Sequence, residues 1–247
     1  MRILLLDIEV SPNVAHVWGL FQQNVGLSQL LESGYTLCWA AKWHGEKEIF
    51  FESLQTGTKK RMVKRIHQLI DQADAVVHYN GTRFDMPILN KDFLLNGIAP
   101  PSPYKQIDLL RVVRQRFRFP SNKLDYVSQA LGIGQKSKHA GHELWLQCMN
   151  GNQAAWRVME RYNKQDVRLL EKLYDRLKPW IRNHPNQGLY AENPESCPKC
   201  GSETFQRRGI EHTNACSYRR FQCCKCLGWF RGAVNIGPKP SQKFANL

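Results

Sequence analysis

Residues 2–9 of this chain read RILLLDIE, an apolar run that closes on two carboxylates two positions apart. A short, continuous run of large aliphatic residues is typical of a buried β-strand. Because side chains at positions i and i+2 of a strand point to the same face, we expect Asp7 and Glu9 side by side. Two such carboxylates repel each other and lose hydration, which favours a bound divalent cation. The alternative is that one faces solvent and the other ends the strand.

The segments that follow predict a mixed sheet with helices packed against it. Further strands are expected at residues 14–20, 35–43, 47–52 and 75–79, and helices at 58–73, 86–96, 107–117, 123–131 and 152–177. In the first of these helices the apolar residues Met62, Val63, Ile66 and Ile70 recur at helical spacing. Several strands, then a helix, a strand and more helices indicate an α/β domain.

Charge and hydropathy limit the class of protein. The chain has 247 residues and a formal net charge of +14, and such an excess of Lys and Arg favours a polyanionic partner such as nucleic acid. No apolar run approaches the ~20 residues of a membrane span. Asp7 and Glu9 interrupt the N-terminal apolar stretch, which therefore does not resemble a signal peptide. We expect a cytoplasmic protein (in the host cytoplasm if the source is viral) that does not contact membranes.

Three later residues are candidates to join the first two carboxylates. Asp85 lies at a turn between the strand at 75–79 and the next helix, where Asp is either a helix N-cap or a group projecting into a cleft. Tyr162 and Asp166 are four residues apart on the helix at 152–177 and share one face, which is either a solvated surface or part of a site. Acidic groups from a strand end, a turn and a late helix suit a two-metal phosphoryl-transfer site.

The three segments resemble, in order and spacing, the three motifs of the DEDD superfamily of 3′–5′ exonucleases. They read LLDIE at residues 5–9, YNGTRFD at 79–85 and YNKQD at 162–166, and the second is similar to the form found in family B DNA polymerases. With Tyr162, the third motif resembles that of the tyrosine subgroup. The histidine subgroup has its histidine at the position that is Arg161 in this sequence. Residues 123–133 also resemble a helix of these nucleases. The resemblance covers about residues 1–180 and implies an α/β, RNase H-like mixed sheet flanked by helices.

This resemblance implies roles for individual residues. Two Mg²⁺ or Mn²⁺ ions would be coordinated by Asp7, Glu9, Asp85 and Asp166. Tyr162 would hydrogen-bond the attacking water, completing the catalytic set. Asn80 and Phe84 would contact the terminal nucleotide.

Three other polar residues in this part of the chain are interpreted without a metal role. Asp108 is expected to cap the helix that follows it. His139 and His142 lie in a Gly-containing segment, where we expect them to be solvated or to contact phosphate.

The C-terminal part of the chain predicts a zinc site. Of eight cysteines, six follow residue 196, and two Cys-x-x-Cys pairs can share one tetrahedral Zn²⁺. The expected ligands are Cys197, Cys200, Cys223 and Cys226, although Cys216 and Cys224 are close enough in sequence to replace one of them. Cys38 and Cys148 are interpreted as ordinary buried cysteines. The tail resembles a zinc ribbon, so we expect a catalytic domain at 1–182, a linker at 183–196 and a ribbon at 197–247.

Cationic and aromatic residues alternate between the two cysteine pairs and just beyond them. They are Arg207, Arg208, Tyr218, Arg219, Arg220, Phe221, Trp229 and Phe230. Such a mixture suits single-stranded nucleic acid, through phosphate contacts and base stacking. The alternative is that the aromatic residues form the small core of the module.

The sequence therefore predicts a metal-dependent 3′–5′ exonuclease that prefers single-stranded DNA and releases nucleoside 5′-monophosphates. One alternative is an exoribonuclease of the same superfamily. A second is a non-catalytic zinc-ribbon protein that binds nucleic acid, and a third is an endonuclease or resolvase of the same fold.

Overall fold

The structure is a computed structural model that describes residues 1–137 and 140–238. It divides into two compact units, one formed by Arg2–Tyr174 and the other by Asp175–Leu247 together with Met1. His139, one of the two histidines considered above, lies outside the described residues. Within the described residues, no helix is both long and apolar enough to cross a membrane.

A five-stranded mixed sheet forms the centre of the larger unit. Its strand order is β5-β4-β1-β6-β7, with β1 antiparallel to β4 and parallel to β6. The strands are β1 (Ile3–Val10), β4 (Thr36–Trp43), β5 (Phe50–Ser53), β6 (Ala75–His78) and β7 (Lys105–Asp108). The predicted α/β mixed sheet is confirmed, with the carboxylate-bearing strand β1 in the middle.

Helices cover both faces of this sheet. They are α1 (Lys59–Asp71), α2 (Asp85–Leu95), α3 (Leu109–Arg116), α4 (Leu124–Ala130), α5 (His142–Met149) and α6 (Gln153–Leu177). Leu4, Leu6 and Ile8 of β1 belong to a buried cluster that includes apolar side chains of α1 and α2. A second buried cluster joins β4 to α5 and α6 and contains Cys38 and Cys148. Because side chains alternate along a strand, Asp7 and Glu9 point away from α1 and α2.

Three predictions about the elements were wrong. The expected strand at 14–20 is reduced to β2 (Val14–Ala15), which pairs with β3 (Leu30–Glu32). The large apolar side chains after β2, those of Val17, Trp18 and Leu20, are exposed. The helix expected from residue 107 begins at Leu109, since Ile107 and Asp108 complete β7, a strand that was not predicted. Helix α5 was also missed, and His142 is its first residue rather than part of a loop.

The smaller unit contains a three-stranded antiparallel sheet in the order β10-β9-β8. Its strands are β8 (Phe205–His212), β9 (Ser217–Cys223) and β10 (Trp229–Asn235). Short 3₁₀ helices at Lys178–Trp180 and Gln187–Tyr190 precede the sheet. The second of these lies within the segment expected to be a linker.

Candidate active site and metal centre

Three carboxylates meet beside the centre of the sheet. Asp7 and Glu9 extend from β1, and Asp166 extends from α6, where it is almost completely buried. Each offers a carboxylate oxygen within 4.8 Å of the oxygens of the other two. Asn163, one helical turn before Asp166, donates from Nδ2 to Oδ2 of Asp7 at 2.6 Å. The structure thus brings the first and third sequence motifs together in one acidic cluster.

Asp85 lies next to this cluster at the start of α2. The N-cap position belongs to Phe84, so Asp85 is not the cap that the simpler interpretation proposed. Its Oδ1 instead accepts a hydrogen bond from the backbone N–H of Ile8, the residue between Asp7 and Glu9, at 3.2 Å. The carboxylate is therefore fixed against the strand that carries the other acidic groups.

The carboxylates stand in an environment that opposes their ionisation. Burial, together with repulsion from Glu9, Asp166 and Asp85, raises the pKa of Asp7 well above its ordinary value. Burial and the charge of Asp166 raise the pKa of Glu9 to about 8, and burial raises the pKa of Asp85 to about 7. Ionised carboxylates gathered in this way need nearby positive charge, and divalent cations are ligated by this kind of oxygen donor.

Lys136 supplies one positive charge to the cluster, and sequence reasoning missed it. Its Nζ forms an ion pair with Oδ2 of Asp166 and donates to Oη of Tyr162 at 3.0 Å. Burial opposes the charged ammonium, but Asp166 and Tyr162 outweigh it and raise the pKa of Lys136. Burial, and then the charge of Asp166, raises the pKa of Tyr162, so the phenol keeps its proton at neutral pH.

The loop before Lys136 is shaped to place this side chain. Lys136 donates its backbone N–H to Oδ1 of Asp125 in α4 at 2.7 Å. Gly134 has a φ of +140°, and a Cβ atom there would lie 2.8 Å from a side-chain atom of Leu169 in α6. A lysine in a loop carries no local pattern. The only sequence signal was its position just after the segment at 123–133 that resembles a nuclease helix.

A cleft beside the cluster has a cationic lining. Its volume is about 550 Å³, and Asn80, Arg114, Lys123 and Lys136 are among the lining residues. Asn80 adopts a left-handed backbone with φ of +69° at the turn after β6, and its N–H donates to Oδ1 of Asp108 at 2.9 Å. The same oxygen accepts from the N–H of Leu110, so the predicted helix-capping role of Asp108 is confirmed.

Phe84 belongs to the same turn as Asn80 but does not line this cleft. Its side chain is 46% exposed, so it is not an ordinary core residue. It is therefore accessible to a ligand at the start of α2.

The comparison with known families assigns the fold. A profile of the RNase H superfamily matches residues 26–178, which is more than half of the chain. The chain belongs to the RNase H superfamily. This membership supports a nuclease that acts on nucleic acid, the coarse form of the function that the sequence predicted.

A solved structure of similar fold agrees with this assignment. The family B DNA polymerase from the hyperthermophilic archaeon Pyrobaculum calidifontis superposes with a TM-score of 0.55 at 19% sequence identity. The match covers 72% of this chain and 24% of the polymerase, so this superfamily member spans about a quarter of that protein. No match was found among the curated proteins.

Four thiols converge in the smaller unit of this RNase H superfamily chain. The Sγ atoms of Cys197, Cys200, Cys223 and Cys226 lie within 4.8 Å of one another, with Sγ–Sγ distances of 3.7 Å between Cys197 and Cys226 and 3.6 Å between Cys200 and Cys223. Cys216 and Cys224 are outside this group, and Cys224 is exposed. The structure brings together the four cysteines that the pair spacing indicated, in a cluster that fits a zinc module.

The surroundings of Cys223 favour its thiolate form, which is the form that binds a metal. Burial opposes ionisation of Cys223, but the backbone N–H groups of Cys226 and Lys225 outweigh it and lower its pKa to about 7. Because a metal binds the thiolate rather than the thiol, these N–H groups favour the ligating form.

Proposed function

We propose that this chain is a metal-dependent 3′–5′ exonuclease that hydrolyses single-stranded DNA and releases nucleoside 5′-monophosphates. The observation that carries the proposal is the meeting of Asp7, Glu9 and Asp166 in one partly buried cluster, with Asp85 held against the same strand. The resemblance of the three motifs to the DEDD exonucleases supports the 3′–5′ direction.

The residues present fit divalent cations. Four carboxylates face one ammonium group, so the ionised cluster has a large negative excess in a place where burial raises the pKa values of its members. Only oxygen donors are offered, which suits Mg²⁺ or Mn²⁺. Two such ions, held by Asp7, Glu9, Asp85 and Asp166, would supply charge stabilisation at the scissile phosphate and lower the pKa of the attacking water.

The remaining residues act on water and substrate. Tyr162 keeps its phenolic proton at neutral pH and is held by Lys136, so it can orient the attacking water through a hydrogen bond. Lys136 adds a positive charge beside the phosphate that reacts. Asn80 and Phe84, at the turn before α2, would hold the terminal nucleotide. The cationic lining of the cleft, Arg114 and Lys123, suits the phosphates of a single strand.

In the smaller unit, we propose that the four clustered cysteines bind one structural Zn²⁺. Four thiolates in tetrahedral geometry are a common structural zinc site. A three-stranded sheet of this size has little core of its own, so the metal would supply much of the folding free energy.

The test of the nuclease activity is hydrolysis of 5′-labelled oligonucleotides. Linear single-stranded DNA and matched RNA carry this label, and circular single-stranded DNA, which has no 5′ end, is labelled internally. Each is incubated with Mg²⁺, with Mn²⁺ or without added metal. We expect a ladder that shortens from the 3′ end, only with metal, faster on DNA than on RNA, and no cut in the circle. Internal cuts in the circle would show an endonuclease, and faster loss of RNA would show an exoribonuclease.

A matched pair of variants on α6 ties this activity to the cluster. Asp166→Asn removes a buried charge of the site, whereas Asp175→Asn makes the same change at a side chain that is 50% exposed. We expect the first variant to lose hydrolysis and the second to keep it. Full hydrolytic activity of Asp166→Asn would contradict the proposal, whereas an absence of hydrolysis in the wild type and in both variants would favour a non-catalytic binding protein.

A further inference from the structure

The two faces of the three-stranded sheet in the smaller unit carry different side chains. One face is a small aromatic core made by Phe205, Phe221 and Phe230, one from each strand. Their ring centroids are 5.4 Å, 5.4 Å and 5.5 Å apart. Phe221 and Phe230 are directly opposite each other in the β9–β10 register. For these residues the core interpretation of the tail aromatics therefore applies.

The other face pairs aromatic rings with arginines. Because side chains alternate along β9, Tyr218 and Arg220 lie on the face opposite to that of Phe221. In the β9–β10 register, Trp229 and Arg231 of β10 lie on the same face as Tyr218 and Arg220. The guanidinium carbon of Arg220 lies 5.0 Å from the ring centroid of Trp229, and that of Arg231 lies 4.0 Å from the centroid of Tyr218. Two cation–π pairs thus stand next to each other, since Arg220 and Arg231 are directly opposite.

This surface, which we call the arginine–aromatic face, consists of Arg208, Tyr218, Arg220, Gln222, Trp229 and Arg231, together with one carboxylate, Glu211, which lies opposite Tyr218. It remains open to solvent: Trp229 is 47% exposed, and the side chain of Arg231 is 39% exposed. Arg208 donates to Gln206, which lies opposite Gln222, and Arg220 donates from Nε to the backbone oxygen of Arg208. Trp229, Arg208 and Arg231 are exposed and Tyr218 and Arg220 are half-buried, so the face is accessible to a partner. Arg231 also forms an exposed ion pair with Glu211 at 3.9 Å, and a bound phosphate would compete with this carboxylate for the guanidinium group.

We propose that the arginine–aromatic face binds a single-stranded segment of nucleic acid, with bases stacked on Trp229 and Tyr218 and phosphates held by the arginines. An aromatic ring or a guanidinium plane stacks on any base, and a guanidinium group also donates to phosphate oxygens in a forked geometry. The cation–π pairs hold rings and guanidinium groups in place before binding, which lowers the entropy cost of ordering them.

This chemistry selects single strands without reading sequence. In a duplex the bases are stacked on each other and their faces are covered, so the two rings gain nothing from it. The proposal extends the proposed function, because it assumes that the ligand of the face is of the same class as the substrate of the catalytic unit. It concerns binding alone and needs none of the catalytic carboxylates.

The experiment measures binding of the full chain to fluorescent oligonucleotides of about ten nucleotides. Single-stranded DNA, single-stranded RNA and duplex DNA are titrated without added Mg²⁺ or Mn²⁺, so that no hydrolysis competes and zinc is retained. We expect both single strands to bind more tightly than the duplex. In the variant with Tyr218→Leu and Trp229→Leu, the affinity for single strands is expected to fall about 10- to 100-fold.

A matched pair of charge variants separates the face from net charge. Arg220→Gln with Arg231→Gln removes two charges from the arginine–aromatic face. Arg207→Gln with Arg219→Gln removes two charges from the opposite, phenylalanine-bearing face. In the first variant, the slope of the logarithm of the binding constant against the logarithm of the salt concentration is expected to become less negative by about 1.4, because each lost phosphate contact on a single strand accounts for about 0.7. The second variant is expected to keep the wild-type slope.

The outcomes distinguish this inference from the proposed function. Three outcomes would each overturn the inference. They are an equal flattening of the salt dependence in the two charge variants, wild-type affinity in the variant with Tyr218→Leu and Trp229→Leu, and tighter binding of the duplex than of the single strands. Tyr218→Phe with Trp229→Phe keeps two rings and is expected to retain most of the affinity, which separates stacking from misfolding. Hydrolysis of an oligonucleotide of about three nucleotides tests the catalytic unit independently. Its absence in the wild type would contradict the nuclease proposal while leaving the binding result intact.

Discussion

Replacing Glu9 with Gln tests whether the acidic cluster is built at the expense of stability. The pKa of Glu9 is raised from 4.5 to about 8, chiefly by burial and by the charge of Asp166. Above the unfolded-state value the unfolded chain is ionised while the folded chain holds its proton, so stability falls as the pH rises from about 5 to 8. Glu9→Gln removes this penalty because the amide does not ionise.

The size of the effect follows from the two pKa values. At pH 8 the two pKa values correspond to a loss of roughly 4 kcal/mol in the free energy of unfolding. This figure is an upper limit, because Glu9 is only partly buried and solvent screens part of its charge. At pH 5 the loss is under about 1 kcal/mol. Without Mg²⁺ or Mn²⁺, we expect Glu9→Gln to raise the melting temperature at pH 8 by on the order of 10 °C, and to change it little at pH 5.

The assay is thermal unfolding followed by circular dichroism, in buffers with and without Mg²⁺ or Mn²⁺. Binding of cations to the folded wild type is expected to raise its melting temperature and to narrow the gap to the variant. The variant should also lose hydrolytic activity. Glu32→Gln, an exposed position in β3, is the control and should change neither property. If Glu9→Gln is no more stable than the wild type at pH 8 without metal, the electrostatic reasoning is refuted.

Three further substitutions test separate parts of the account. Tyr162→Phe is expected to lower kcat about 100-fold with little change in DNA affinity, and retention of more than a tenth of the activity would exclude a role in orienting water. Gly81→Ala places a Cβ 2.7 Å from Nδ1 of the buried His78, so we expect the free energy of unfolding, measured in urea, to fall by roughly 2–4 kcal/mol. In the control Gly57→Ala, the new Cβ meets only the flexible side chain of Arg61, and the free energy of unfolding should change by less than about 1 kcal/mol. Cys200→Ser is expected to release zinc, measured by atomic absorption, whereas the exposed Cys224→Ser should retain one zinc per chain; equal zinc content in both would contradict the ligand set.

The sequence contained the local part of the site but not its assembly. Apolar residues before Asp7 and Glu9 predicted a buried strand, and the i, i+2 spacing placed both carboxylates on one face. Nothing local connected them to Asp166, which is far away in sequence, and the resemblance to a known set of motifs carried that step. Lys136 had no local pattern of its own, because its position depends on Gly134 and on the hydrogen bond from its backbone N–H to the Asp125 side chain.

The errors in the fold have similar physical causes. Residues 14–20 have the composition of a strand, but a strand also needs a partner, and only Val14 and Ala15 pair with β3. Strand β7 is short and its first two residues are exposed, so its sequence shows neither alternation nor a buried run. In the tail, the cysteine spacing indicated the thiol cluster. The division of the aromatic residues between a core and an arginine-lined face depends on the strand register, which the sequence did not show.

The most direct test of the central claim is anomalous diffraction from crystals grown with Mn²⁺ and a short oligonucleotide. The account predicts Mn²⁺ peaks bounded by the carboxylates of Asp7, Glu9, Asp85 and Asp166, two ions ~3.5–4 Å apart when substrate is present. A structure in which Mn²⁺ is absent from this cluster while the oligonucleotide is bound elsewhere on the larger unit would contradict it.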